Sequence, residues 1–393
     1  MPHTVIVGAK RSAIGKFLGT LTPLTAPQIG AAVAKNMLAG LGCRPGDVDL
    51  AIVGQVLQAG IGQNPARQLA LGAGCADTIT AVTVNQVCGS GLRAAMDVDN
   101  NIRLGQSKIA LAGGMECMSN APYLLRELRS KGTKFGNSTV VDEMQFDGLT
   151  DAYTSLAMGA IADYTAQKYN VTRHDQDTFA FESHKRAAKA QAAGLFKAEI
   201  AAIDVPAGKG KTITFDTDET IRAETTVEGL AGLKPAFGKD GTVTAGNASQ
   251  LSDGAATILM TTEEEAAKRG WKVRAKVLAH ATFGVAPKEL FLAPVGAVKL
   301  AVEKAGLKMS DIDLFELNEA FAAQAVACVR GLEISPDRVN VNGGGVALGH
   351  PIGASGTRIL VTLIHVMEQR NARRGVASLC LGGGNAVAMV IER

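Results

Sequence analysis

Short aliphatic and β-branched runs alternate along the chain with stretches in which apolar residues recur at helical spacing. Thr4 to Val7 reads as a strand, Ala26 to Leu41 as a helix, and Leu50 to Val53 and Ala81 to Asn85 as strands. Gly91 to Leu104 is helical in pattern, and Ile109 to Ala112 is again a strand. A second series begins near Trp271. It runs through Val273 to Ala279, the helix Val295 to Ala305, Asp313 to Glu316, the helix Ala320 to Arg330, the strand Val339 to Asn342, the helix Ile352 to Gln369 and a closing strand Ala386 to Ile391. Such alternation predicts βαβ units around a mainly parallel sheet.

The two series look alike. The strand-to-helix step at 82–96 (VTVNQVCGSGLRAAM) has a counterpart at 339–360 (VNVNGGGVALGHPIGASGTRIL), and KIALAGGMECM (108–118) parallels GVASLCLGGGNAV (375–387). Internal duplication follows, each half forming one layered α/β unit. Between them, Ser119 to about Ser249 carries charges of both signs, an amphipathic helix around Asp175 to Ala193, and turn-rich stretches at Pro206 to Lys211 and Phe237 to Gly241. This segment is expected to be an inserted loop domain covering a site.

Composition narrows the function. With 393 residues, 45 glycines and 4% aromatics, the core is mostly aliphatic and many turns are tight. Lys and Arg number 40 against 37 Asp and Glu, with no long run of one sign, so nucleic acid is not an expected partner. Cys43, Cys75, Cys88, Cys117, Cys328 and Cys380 are too sparse for a disulfide scaffold and form no C-x-x-C pair, which points to a reduced, cytoplasmic setting. The start, MPHTVIVGAKRSAIGKF, lacks an apolar signal core. The longest uncharged stretch, Val376 to Ile391, is interrupted by Gly382 to Gly384 and falls short of a membrane span, so a soluble protein is expected.

Candidate chemistry sits at strand ends. Cys88, in Asn85-Gln-Val-Cys-Gly-Ser-Gly-Leu-Arg93, lies between a strand and a helix pattern, where a helix dipole favours thiolate and glycines leave sulfur approachable. The alternative is a buried structural thiol. Gly89 to Ala94 also fits the G-x-G-x-x-A dinucleotide fingerprint, but no acidic residue follows at Lys108 to Gly114. Gly208-Lys-Gly-Lys-Thr212 imitates a phosphate loop, yet Val205 occupies the place of its first glycine. His350, in Gly349-His-Pro-Ile-Gly-Ala-Ser-Gly-Thr-Arg358, is held extended by Pro351, which lets a loop present the imidazole. His3, His174, His184, His280 and His365 are assigned to surface or core roles. Cys380 ends a strand in a glycine turn whose bare N–H groups suit an anion. Asn318 opens a helix and would serve as its N-cap in the absence of chemistry. Two thiols, an imidazole and an amide at comparable strand ends suit acyl transfer with carbon-acid chemistry, and no metal constellation competes.

NQVCGSGLRA, NEAFAAQ, NVNGGGVALGHPIGASGTR and CLGGGNAVAMVIE resemble, in order and separation, the four signature blocks of the thiolases. AKRSAIGKFLG and GTVTAGNASQLSDGAA (241–256) are also similar, so the resemblance spans essentially the whole chain. It implies a five-layer α-β-α-β-α fold of duplicated βαβαβαββ halves with an inserted loop domain. The implied domains are 1–118 plus 250–270 (Cys88), the loop domain 119–249, and 271–393 (Asn318, His350, Cys380). The implied activity is acetyl-CoA C-acetyltransferase, the reversible condensation of two acetyl-CoA; a degradative 3-ketoacyl-CoA thiolase of fatty acid metabolism and a non-catalytic acyl-CoA binder are the alternatives.

By that resemblance Cys88 is the nucleophile, His350 accepts its proton, and Cys380 is the acid/base. His350 and a water on Asn318 hold the enolate, while N–H groups of Cys88 and Gly382 form the oxyanion hole. Coenzyme A is a substrate and not a permanently bound cofactor, with Arg222 near its nucleotide and Leu149, Met158, Phe237, Ala245, Ser249, Ala320 and Phe321 along its pantetheine arm. A homotetramer is implied, dimerising through the sheet that carries Ala81 to Asn85 and Lys108 to Gly114 and joined near Tyr123 to Met144. Three departures stand out. Ala157 replaces the usual histidine of acetoacetyl-CoA thiolases, Leu290-Phe-Leu-Ala-Pro294 replaces a smaller methionine-glycine loop, and Asn385-Ala386 replaces the usual residue-glycine. Ala157 opens room for acyl groups longer than acetoacetyl and the 290–292 loop fills it, so acetoacetyl-CoA is expected first and medium chains second.

Overall fold

In the computed structural model residues 3–130, 132 and 135–393 are described; Met1, Pro2 and, within the Tyr123–Met144 segment, Lys131, Thr133 and Lys134 lie outside them. The first half contributes β1 (Thr4–Ser12), α1 (Ala26–Leu41), β2 (Leu50–Gly54), α2 (Pro65–Gly72), β3 (Thr80–Val84), α3 (Ser90–Arg103) and β4 (Ile109–Cys117). Helices α4 (Met158–Lys168) and α5 (Arg173–Ala192) belong to the intervening segment. Strand β5 (Ser252–Thr262) then returns to the first sheet. The second half supplies β6 (Ala275–Gly284), α6 (Ala293–Lys304), β7 (Leu314–Leu317), α7 (Ala322–Leu332), α8 (Ile352–Gln369), β8 (Arg374–Leu381) and β9 (Asn385–Glu392).

The strands run β7-β8-β9-β6-β1-β5-β4-β2-β3 in an eleven-stranded sheet that also includes two short strands. The sheet is not mainly parallel as expected: five of the eight pairings along this order are antiparallel, because β5 and β9 return beside their halves without a crossover helix. Duplication is visible in the pairing. In the first half β1 pairs antiparallel with β5, β5 antiparallel with β4, and β4 and β3 each flank β2 in parallel. In the second, β6 pairs antiparallel with β9, β9 antiparallel with β8, and β8 in parallel with β7. The halves meet through only two residue pairs, Val5 with Lys276 and Ile6 with Ala275.

The fifth strand of the second half departs from expectation. Val339 makes a single bridge to Phe315, because Asn340 has a positive φ of 44° and its side chain takes over the pairing. Its Oδ1 accepts from Leu317 N–H at 2.9 Å and its Nδ2 donates to Leu317 C=O at 2.7 Å. A primary amide thus reproduces one rung of a ladder.

Helices α3 and α8 lie between the two sheet halves, α1 and α2 cover the outer face of the first, and α6 and α7 that of the second. All nine residues of β4 are buried, as a strand covered on both faces requires. The central helices touch closely because glycines face each other: a Cβ on Gly91 would lie 2.7 Å from Thr357 N, and one on Gly356 2.3 Å from Leu92 N. The intervening segment is fastened to β1 by Arg11, fully buried, whose Nε donates to Glu199 at 2.7 Å and whose Nη1 and Nη2 donate to Asp218 at 2.7 and 2.9 Å. Among the described residues no helix is long and apolar enough to cross a membrane.

Candidate active site

A cavity of about 700 Å³ opens where the two halves and the intervening segment meet; Cys88, His350, Cys380 and Gly382 line it. Its walls also include Leu149, Met158, Arg222, Phe237, Ala245, Ser249, Ala320 and Phe321, together with Lys16, Ala157, Leu290 and Phe291. Asn318 does not line it. This residue is fully buried behind His350, its Nδ2 3.4 Å from either imidazole nitrogen. Nor does it cap α7, whose N-cap is Phe321; the N-cap alternative gives way to a contact with the imidazole.

Cys88 leaves β3 through a strained turn. Val87, β-branched, has φ of 49°, a conformation that costs on the order of 1–3 kcal/mol. Its N–H is held by Asn85 Oδ1 at 2.9 Å, and its C=O accepts from Ser90 Oγ at 2.6 Å. The turn delivers Cys88, half-buried, to the cavity just before α3. Burial pushes the thiol up to about 12, and the Glu116 carboxylate adds to this, although the N–H groups of Cys88 and Gly382 favour its anion. The dipole argument therefore loses to desolvation. In the free protein Cys88 is a thiol, and a base must take its proton.

An imidazole, that of His350, lines the same cavity. His350 N–H donates to Gln250 C=O at 3.1 Å, which fixes the loop. Burial, then the Arg358 charge, lower the imidazole to about 3, so it is neutral at pH 7. Ser355 Oγ donates to Pro351 C=O at 2.9 Å and lies 2.6 Å from His350 Nδ1. With its own proton committed, that hydroxyl accepts from Nδ1–H and leaves Nε2 unprotonated, with the Asn318 NH₂ 3.4 Å away.

Cys380 is 2% exposed and ends β8 in a turn through Gly383 and Gly384, with φ of 83° and 92°. Burial first, then the charge of Cys88, raise its thiol well above the ordinary value. The cysteine packs with Leu290, Phe291, Ala320 and Ile161. Asn385 donates from Nδ2 to Gly384 C=O at 2.8 Å, and the Ala386 methyl is fully buried; both are accommodated without displacing Cys380 from the cavity.

Sequence reasoning passed over the groups that hold this arrangement. Glu116, buried in β4, accepts from Val56 N–H at 3.0 Å, Leu57 N–H at 3.2 Å and Gly353 N–H at 2.9 Å, and burial raises it to about 8. Arg358 donates from Nη2 to Asn318 Oδ1 at 3.3 Å, which turns the amide NH₂ toward His350. Glu319 accepts from Ser183 Oγ, Asn340 Nδ2 and Val346 N–H at 2.7, 2.8 and 3.1 Å, joining α5 to both signature loops of the second half. An acidic residue inside the apolar run IALAGGMEC was the available signal for Glu116.

A family model described as Thiolase, N-terminal domain, matches residues 4–264, and one described as Thiolase, C-terminal domain, matches 271–393. The acetyl-CoA acetyltransferases of Pseudomonas aeruginosa and Chromobacterium violaceum are 49% identical to this chain over 393 and 391 residues, covering 100% of both chains in each case. A probable acetyl-CoA acyltransferase of Staphylococcus aureus is 45% identical with the same coverage. The crystal structure of the Bacillus anthracis acetyl-CoA acetyltransferase superposes with a TM-score of 0.97 at 41% identity, covering 100% of this chain and 99% of that one. With its duplicated halves and the cysteine, imidazole and glycine turn gathered in one cavity, the chain belongs to the thiolase family.

Proposed function

We propose that the protein is an acetyl-CoA C-acetyltransferase, condensing two acetyl-CoA into acetoacetyl-CoA and free CoA and catalysing the reverse thiolysis. The observation that carries this reading is the convergence of two thiols, a neutral imidazole with an unprotonated Nε2, and the Gly382 N–H on one largely apolar cavity. In the first half-reaction Cys88 Sγ attacks the thioester carbon and its proton passes to His350 Nε2. The carbon–sulfur bond to CoA breaks, and the departing thiolate takes that proton. The tetrahedral oxyanion accepts from Cys88 N–H and Gly382 N–H; one such donor is worth about 3–4 kcal/mol.

In the second half-reaction the Cys380 thiolate removes an α-proton from a second acetyl-CoA. The enolate oxygen is held by His350 and a water on Asn318, and its carbon attacks the acyl carbon on Cys88. The new carbon–carbon bond forms as the Cys88 sulfur leaves, and Cys380 returns the proton to it. Burial that raises the Cys380 pKa makes its conjugate base strong while keeping it scarce.

The CoA moiety is assigned to the wall of Leu149, Met158, Phe237, Ala245, Ser249, Ala320 and Phe321, with Arg222 toward the nucleotide. We assign the domains as 1–118 plus 250–270, the covering segment 119–249, and 271–393, in a cytoplasmic homotetramer. In support of the dimer, β3 pairs on one side only and Val82 on it is 47% exposed. In support of pairing the dimers, Tyr123, Leu125, Phe135 and Val140 are all exposed. Mixing the purified protein with acetoacetyl-CoA and free CoA tests the activity: the 3-ketoacyl thioester disappears and acetyl-CoA accumulates. No loss with folded, reduced protein overturns the reading in favour of a non-catalytic acyl-CoA binder.

A further inference from the structure

We propose that the Phe291 ring is the wall that limits acyl-chain length, restricting the site to acetoacetyl-sized substrates. The inference rests on the thioester chemistry of the preceding subsection and adds which chains that chemistry admits. Phe291 and its neighbour Leu290 line the cavity, are only 2% and 1% exposed, and pack in the same apolar cluster as Cys380. They therefore stand at the reacting end of the cavity, where an acyl chain longer than acetoacetyl would extend.

A wall selects only if it does not yield, and this one is restrained from three sides. On the outer side, Glu289 accepts from Tyr164 Oη at 2.6 Å, Lys168 Nζ at 2.5 Å and Tyr169 Oη at 2.9 Å; these donors lie on α4 and the residue just after it, so the turn carrying Phe291 is tied to the intervening segment. On the inner side, the Phe291 C=O accepts from Cys328 Sγ–H at 3.1 Å, and that sulfur accepts from Gln324 Nε2 at 3.6 Å. The ring itself packs edge-on against Phe321, centroids 5.4 Å apart at 72°, and Phe321 packs likewise on Phe237 at 6.2 Å and 82°. Swinging the Phe291 ring aside would disrupt the aromatic chain that also borders Ala320 and Met158. Ala157 lines the same cavity with a single methyl group, so its own side chain does not limit the acyl end.

The test compares the parent protein with Phe291→Ala and Phe291→Leu in thiolysis of 3-ketoacyl-CoA of four, six and eight carbons at fixed CoA. Binding of acetyl-CoA and hexanoyl-CoA is titrated in parallel in a Cys88→Ala background, so that chain selection is read without turnover. Each methylene newly admitted to apolar surroundings gains roughly fourfold. The six- to four-carbon ratio of kcat/KM is therefore expected to rise about 15-fold in Phe291→Ala. Phe291→Leu, which keeps an apolar side chain at the packed position, is expected to move the ratio less and in the same direction, and it carries the test if Phe291→Ala does not fold. An unchanged ratio overturns the inference, as does a parent protein that prefers the eight-carbon substrate. If the parent cleaves none of the substrates, the functional reading fails separately. The binding series then decides: hexanoyl-CoA gaining on acetyl-CoA in Phe291→Ala sustains the wall, and equal ratios overturn it.

Discussion

Cys88 and Cys380 are the same residue type, one in each of the two duplicated halves, yet they occupy opposite kinds of turn. Cys88 follows a strained strand-to-helix corner, is half-buried, and has two backbone N–H groups directed at its sulfur. Cys380 closes a strand-to-strand turn, is almost fully buried, and packs among aliphatic and aromatic side chains. Burial holds both thiols above the ordinary range. One is approachable and has an imidazole across the cavity; the other is a stronger, rarer base in an apolar wall. The two cysteines are not duplicates of each other, since Cys88 follows the edge strand β3 whereas the counterpart of the Cys380 strand β8 is β4, and the local turn chemistry separates their uses.

The sharpest way to break this contrast is to remove each sulfur in turn. Cys88→Ala is expected to lose turnover to below about 10⁻⁴ of the parent, the scale on which nucleophiles are lost, and to show no acylated protein by mass spectrometry after acetyl-CoA. Cys380→Ala is expected to lose condensation by about 10²- to 10⁴-fold while Cys88 still becomes acetylated. If Cys380→Ala cannot be acetylated, the division of labour is wrong.

A smaller effect separates the two by titration. A thiol whose pKa is raised stays protonated at neutral pH, so its thiolate grows about tenfold for each pH unit below the pKa. Iodoacetamide labelling of Cys88 in the free protein is expected to climb about 100-fold from pH 7 to pH 9 without a plateau, with Cys380 labelled more slowly throughout. A plateau for Cys88 near pH 7 would show that the helix dipole prevails over burial after all.

Smallest is the effect of Ser355→Ala, which removes the acceptor that holds the His350 tautomer. About a tenfold loss of acylation rate is expected, with KM nearly unchanged and the pH profile of acylation displaced; a change in KM alone would assign Ser355 to substrate binding.

Much of this was legible in the chain. Periodicity located nearly every strand and helix of both halves, since strands covered on both faces are continuous aliphatic runs. The Cys88, His350 and Cys380 turns stood out because glycine and proline mark backbone that a regular element cannot adopt. Asn340 was misread, because a side-chain amide replacing a strand rung leaves no trace in hydrophobic pattern. Arg11 and Arg358 were silent, and the partners of the conspicuous Glu116 equally hidden, for a related reason: those partners lie far along the sequence, Arg11 pairing with Asp218 and Glu116 with Gly353, and periodicity carries only neighbours. The thiol titration was misjudged because a dipole is local while burial is tertiary.

The position of β1 has a consequence for how the protein is made. This first strand ends up flanked by β5 and β6, and its partners run to Thr262 for Thr4 and to Ala275 for Ile6. At about 5–20 residues per second, those partners leave the ribosome roughly 10 to 50 s after β1 does. During that interval most of β1 and one edge of β4 lack their strand partners. The order of the strands in the sheet therefore makes this a protein whose first half waits for its middle, and makes the growing chain a natural client for whatever shields unpaired strands during synthesis.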